Sequence, residues 1–207
     1  MRSIDIEPDG TTTALGLTSA HDEHSIVHQV LDGDRDAFRW LVDREAGAVV
    51  RACHRVLGDF AEAEDVAQES FVIAYRSLAS WRGDGPFGAW LARIAVRLAV
   101  RRAAARRAVT WIRPTDDQAT EPIAAVAAPA AGDPVVAALR GERDATVRAA
   151  VARLDDPYRE VVALRFFADR SLGEIAAVTG RPLGTVKTHL YRGLMRLKIA
   201  LDEGERR

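Results

Sequence analysis

The chain has 207 residues, 48% hydrophobic and 29% charged, with a formal net charge of -1, an ordinary soluble composition with room for one sizeable domain or two small ones. Its single cysteine, Cys53, excludes an intrachain disulfide and a cysteine-based zinc site. No apolar stretch reaches the roughly 18 residues a membrane span needs. Aromatics are 6%, and alanine, leucine and arginine dominate, residues that lose little side-chain freedom in a helix. An all-α protein is expected. The near-neutral total hides an asymmetry: acids outnumber bases up to Trp90, whereas residues 91–113 carry Arg93, Arg97, Arg101, Arg102, Arg106, Arg107 and Arg113 without an acid. Such a block points to a local polyanion contact, the plainer alternative being a solvated helix face.

Residues 1–22 combine Pro, Gly, Asp and Thr without periodicity and read as a flexible tail. They lack the basic start and apolar core of a signal peptide, so a cytoplasmic location is expected. Residues 25–31 fit a short helix. Asp34 can cap the next one, with Phe38, Leu41, Val42, Val49, Cys53 and Val56 at helical spacing and Gly58 as its stop; Gly47 weakens it or marks a join. Cys53 reads as a buried thiol. A third helix is expected over 61–78. The glycines and proline of Ser80-Trp81-Arg82-Gly83-Asp84-Gly85-Pro86 break the pattern, and Pro86 suits the first turn of a fourth helix. That helix carries Trp90, Ile94, Leu98 and the arginine block, with Trp90 on the core side. Between 109 and 133, Pro114, Pro122 and Pro129 alternate with alanines and small polar residues, the composition of an extended tether.

The second domain, 134–201, begins with a helix over 135–154. Asp156 caps a further helix, with Pro157 at its first position and Val161, Leu164 and Phe167 on its apolar face. Ser171 and Glu174 fit a capping box, and Thr179-Gly180-Arg181-Pro182 makes a tight break. The last helix sets Val186, Leu190, Leu194, Leu197 and Leu201 on one side. Two short helices about a glycine turn form a helix-turn-helix, the alternative being a plain helical hairpin. Lys187, Thr188, Tyr191 and Arg192 project to the exposed side, and Gly184 and Thr185 lie at the end that enters the major groove. Lysine and arginine reach phosphates or guanine edges, Thr188 can bond either, and the free N–H groups of the helix start favour phosphate. Residues 202–207 are left as a tail.

The stretch Arg181-Pro182-Leu183-Gly184-Thr185-Val186-Lys187-Thr188-His189-Leu190-Tyr191-Arg192 resembles the promoter-reading helix of extracytoplasmic-function sigma factors of the sigma-70 family. Leu57-Gly58-Asp59 with Ala63-Glu64-Asp65-Val66-Ala67-Gln68-Glu69-Ser70-Phe71 is similar to the family's polymerase-binding segment. Phe87-Gly88-Ala89-Trp90-Leu91-Ala92-Arg93-Ile94-Ala95 resembles the start of its promoter-melting helix. The resemblance implies two helical domains on a flexible linker. The first, 23–108, would grip the clamp helices of the largest subunit of core RNA polymerase through Asp65, Val66, Gln68 and Glu69. It would also hold the melted minus-ten element through Ser80, Trp81, Arg82, Gly83, Arg93, Arg97 and Arg101. The second would read the minus-thirty-five element as duplex. An anti-sigma factor as a further partner follows from the resemblance alone.

Physical chemistry agrees with these roles. Asp65, Gln68 and Glu69 occupy adjoining turns of one helix, an acidic face for a basic partner or simply a solvated one. The Trp81 loop offers an aromatic platform and a cation for an unstacked base, or else a structural turn with Trp81 packed inward. Arg93, Arg97 and Arg101 recur every fourth residue, a stripe able to follow a strand backbone. The chain departs from the family at Val96-Arg97-Leu98-Ala99-Val100-Arg101, where the family often has an asparagine and an aspartate, and at His189, usually arginine. A stand-alone helix-turn-helix regulator is the alternative function. An enzyme is disfavoured: apart from the N-terminal set His21, His24 and His28, the histidines do not group at metal-ligand spacing, and no nucleophile motif or phosphate loop occurs. No catalytic residue, metal or cofactor is expected.

Overall fold

The computed structural model describes residues 20–112 and 134–205, with side chains over 23–106 and 140–203. The expected tail over 1–19, the tether interior over 113–133 and the last two residues lie outside the described residues. The described chain is helical: α1 (Ala20–Leu31), α2 (Arg35–Leu57), α3 (Phe60–Arg76), α4 (Phe87–Ile112), α5 (Pro134–Arg153), α6 (Tyr158–Phe166), α7 (Leu172–Thr179) and α8 (Leu183–Glu205), with a 3-10 turn at Leu78–Ser80. Helix therefore runs into three segments read as non-helical: α1 begins in the tail, α4 continues four residues past 108, and α8 passes 201.

Local chemistry sets most of the ends. The Asp34 carboxylate accepts the N–H groups of Asp36 and Ala37 at 2.9 and 3.2 Å, and Asp59 accepts that of Glu62 at 2.7 Å, satisfying donors a helix start leaves open. Gly58 closes α2 at φ 77°, in the left-handed region that glycine enters without a Cβ penalty. A Cβ there would also stand 2.8 Å from the Arg148 guanidinium of α5. Gly47 makes no join, since α2 is continuous through it.

α2, α3 and α4 pack into a bundle with α1 along α2, while α5, α6 and α7 gather around α8. The first core is built from Leu41, Cys53, Val66, Phe87, Leu91 and Val96, each at most 2% exposed. In the second group, Val161, Leu164, Ile175 and Val186 are fully buried. The buried residues of both groups join in one contiguous cluster.

Two expectations about the second domain are corrected. Asp156 does not cap α6: the position before the helix is Pro157, with no side-chain cap, and the Asp156 carboxylate pairs with Arg159 at 2.6 Å. On α8, Leu194 points outward at 37% exposure. The inner place goes to Gly193, where a Cβ would lie 2.7 Å from Val162 Cγ2 of α6. Close approach of the two helices, rather than hydrophobicity, decides which residue faces in.

Candidate nucleic-acid interface

The turn between α7 and α8 is built as the residues require. The Ser171 hydroxyl accepts the Glu174 N–H at 3.2 Å and the Glu174 carboxylate accepts the Ser171 N–H at 2.8 Å, a reciprocal capping box. Gly180 ends α7 at φ 66°, and Val186, fully buried, pins α8. With Val186 inward, Gly184, Lys187, Thr188, Tyr191 and Arg192 are exposed and Thr185 is half-buried. Tyr191 is 67% exposed, and the Thr188 hydroxyl donates to the Gly184 carbonyl at 2.9 Å. His189 turns the other way: its ring meets Tyr158 edge-on at 5.6 Å and its Nδ1 is buried without a partner. Desolvation, with the charges of Arg181 and Arg192, holds the imidazole below its ordinary pKa. A neutral, inward His189 makes no phosphate contact in this arrangement.

In the other helical group, Ser80 and Arg82 are exposed, and Arg82 pairs with Asp84 at 2.8 Å. Trp81 packs inward at 9% exposure, its ring tilted against His24 at 4.7 Å and edge-on to Phe87 at 6.1 Å, with its Nε1 donating to the Gly85 carbonyl at 3.3 Å. In this arrangement its ring is no open platform. Gly83 adopts φ 74° and a Cβ would enter the His24 ring, so glycine is required there twice over. Arg93, Arg97 and Arg101 do lie on one stripe of α4, but α6 and α7 reach its first two members. Arg93 Nε and Arg97 Nε both meet Glu160 Oε1, at 2.8 and 3.0 Å, and Arg181 meets Glu160 Oε2 at 2.7 Å. Arg93 also donates to the Val178 carbonyl at the end of α7.

Comparison with known proteins places both helical groups in one family. The sigma-70 region 2 family matches residues 41–109, and the sigma-70 region 4 family matches residues 145–197. The ECF RNA polymerase sigma factor SigW of Bacillus subtilis is 33% identical over 86% of this chain and 95% of its own. The RNA polymerase sigma-H factor of Pseudomonas aeruginosa is 35% identical over 90% and 96%. The chain is an extracytoplasmic-function sigma factor of the sigma-70 family. A solved structure of CnrH in complex with the cytosolic domain of CnrY superposes with a TM-score of 0.55 at 25% identity, over 89% of this sigma factor and 99% of CnrH. The ordered pair of regions replaces the alternative of a stand-alone regulator.

Within region 2 of the sigma factor, Asp65, Gln68 and Glu69 are exposed on α3, and Glu69 lies 3.3 Å from Arg102. Val66 is corrected: at 0% exposure it belongs to the core and offers a partner nothing. Glu160, Arg181 and Val178 were not among the expected site residues. One signal for Glu160 existed, since it precedes Ala163 and Leu164 by three and four positions and so shares their inward face. Among the described residues no cluster of His, Cys, Asp or Glu could hold a metal, and no helix is long and apolar enough to cross a membrane.

Proposed function

We propose that this sigma factor binds core RNA polymerase through the outer face of α3, holds the melted minus-ten strand along the residue 80–83 loop and the α4 arginines, and docks the N-terminal half of α8 on the minus-thirty-five duplex. The polymerase performs the chemistry, in the cytoplasm, and this chain positions it. The observation that carries the reading is the split of α8. Val186 anchors one side in the core while Lys187, Thr188, Tyr191 and Arg192 stand exposed on the other, beyond a capped α7. A guanidinium and an ammonium there suit phosphate and guanine edges. Asp65, Gln68 and Glu69 present acceptors to a basic partner. Because CnrH was solved with the cytosolic domain of CnrY, a protein partner that masks the sigma factor, an anti-sigma factor, belongs to the same reading.

In vitro transcription with core polymerase tests it. Asp65→Ala with Gln68→Ala lowers core binding about tenfold or more, the scale of losing polar interface contacts, while the helical signal is unchanged. Arg192→Ala lowers transcription chiefly on templates with an intact upstream element. Undiminished core binding by the double variant, or equal loss on templates lacking that element, overturns the assignment of the corresponding face.

A further inference from the structure

The loop of residues 80–83 is held from behind by α1, a helix that precedes the matched part of region 2. Val27 and Val30 bury one side of α1 in the first core, and the helix lies along α2 and against the 3-10 turn that leads into the loop. Two neighbouring side chains of α1 reach the loop and the helix after it. The His24 ring tilts against Trp81 at 4.7 Å and fills the notch at Gly83, where a Cβ would come within 1.8 Å of its Nε2. The left-handed turn at Gly83, φ 74°, closes on this ring. Glu23 supplies what the start of α4 lacks. The residue ahead of α4 is Pro86, which has no side-chain oxygen to cap a helix. The Phe87 N–H instead donates to Glu23 Oε2 at 2.8 Å, a carboxylate 64 positions earlier in the chain. Arg44 of α2 fixes Glu23 in turn, at 2.5 Å from Oε1, and a negative charge at this end of α4 also suits the helix dipole. Residues 81–87 are thus tied near both ends to adjoining residues of one helix.

We propose that Glu23 and His24 are positioning residues for promoter opening, fixing the loop and the first turn of α4 so that Ser80 and Arg82 stand outward before DNA arrives. The proposal rests on the reading of residues 80–83 as the strand surface, and it gives Trp81 a different part in it. The Trp81 ring, set between His24 and Phe87 with its Nε1 on the Gly85 carbonyl, is the inner post of the loop, and its exposed neighbours meet the strand. A loop ordered in advance has less freedom to lose on binding. The fixed form therefore holds a strand more tightly than a loose one.

The test reconstitutes holoenzyme from core polymerase and the full chain carrying His24→Ala, Glu23→Ala or the loop pair Ser80→Ala with Arg82→Ala. The exposed His28→Ala serves as a control on α1. Permanganate reactivity of the minus-ten thymines, on a template the wild-type holoenzyme transcribes, reads opening. Hydrogen exchange of a peptide spanning 80–90 reads loop order in the free chain. His24→Ala and Glu23→Ala are expected to lower the opened fraction about three- to tenfold, the scale of ordering one or two side chains at an interface. Exchange over 80–90 quickens in both, while core binding and helical ellipticity stay at wild-type values, and His28→Ala matches the wild type throughout. Gly83→Ala lowers opening too, but by less when residue 24 is already alanine, because the ring its Cβ would strike is gone. Opening lowered by the loop pair yet unchanged in both α1 variants overturns the positioning role alone. Opening unchanged by the loop pair overturns the strand-surface reading, and the positioning role with it. Loss of core binding by the α1 variants makes α1 a general support of region 2 and likewise overturns the proposal.

Discussion

Cys53, fully buried in α2 among Val49, Val56 and the core of region 2, shows what surroundings do to a single group. Burial pushes its thiol up to about 12, because no neighbouring charge repays desolvation of the thiolate. Since the thiolate is the nucleophile, the native protein at pH 8 resists alkylation by iodoacetamide and reacts once denatured. Prompt modification in native buffer would show that α2 opens locally. Glu160 meets the opposite fate. Burial raises its carboxyl, but the hydrogen bonds from Arg93 and Arg181 and the charges of Arg93 and Arg97 outweigh it, and the group stays below its ordinary value. Burial raises both groups, and only Glu160 has cations facing it to reverse the shift.

Among the elements, α6 and α8 approach one another closely in region 4. Gly193 permits it, with Val162 Cγ2 at 2.7 Å from where a Cβ would stand and the Tyr158 Cβ at 3.4 Å. Gly193→Val forces the helices apart or the side chains off their rotamers, a cost of about 1–3 kcal/mol for overpacking. Thermal melting reads this as a lowered midpoint, whereas Gly184→Ala, where a Cβ meets nothing within 4 Å, leaves the midpoint equal or higher. A melting point unchanged by Gly193→Val would mean that α8 does not seat on α6 as described. The helix ends were readable beforehand because caps are local: Asp34, Gly58, Ser171 with Glu174, and Gly180 act on backbone groups within a few residues. Leu194 was misplaced because alternate rows of a helix are equally apolar on paper, and the crossing helix chooses between them.

Across the whole molecule the contact between regions 2 and 4 has a pH signature with a definite sign. The groups facing Glu160 are Arg93 and Arg97 from α4, Arg181 before α8, and Asp156 and Arg159 in the adjoining cleft. A carboxyl held lower in the closed chain than in the open one stabilises closure at every pH above its ordinary value, 4.5. That stabilisation is lost as pH falls through the depressed value. The radius measured by small-angle scattering is accordingly flat from neutral pH down to the carboxylate range and rises below it. Glu160→Gln, which has no such proton to take up, lacks that component of the rise. Identical pH profiles for both chains would show that the carboxylate does not govern the contact. A second interregion link, from Arg55 to Asp169 and the Phe167 carbonyl, lies just beyond the C-terminal end of α6 and does not involve Glu160.

The sequence by itself determined the order of the helices, the caps of α2 and α7, the helix-turn-helix and the outward set Lys187, Thr188, Tyr191 and Arg192, because each follows from spacing within a single element. Its motifs also carried the family. Tertiary structure alone decided that Trp81 packs inward, that His189 faces Tyr158, and that Arg93 and Arg97 meet a carboxylate more than sixty positions away. Those outcomes depend on which helix lies across which. Periodicity fixes a residue's direction around its own axis but carries no information about the neighbour that comes to meet it.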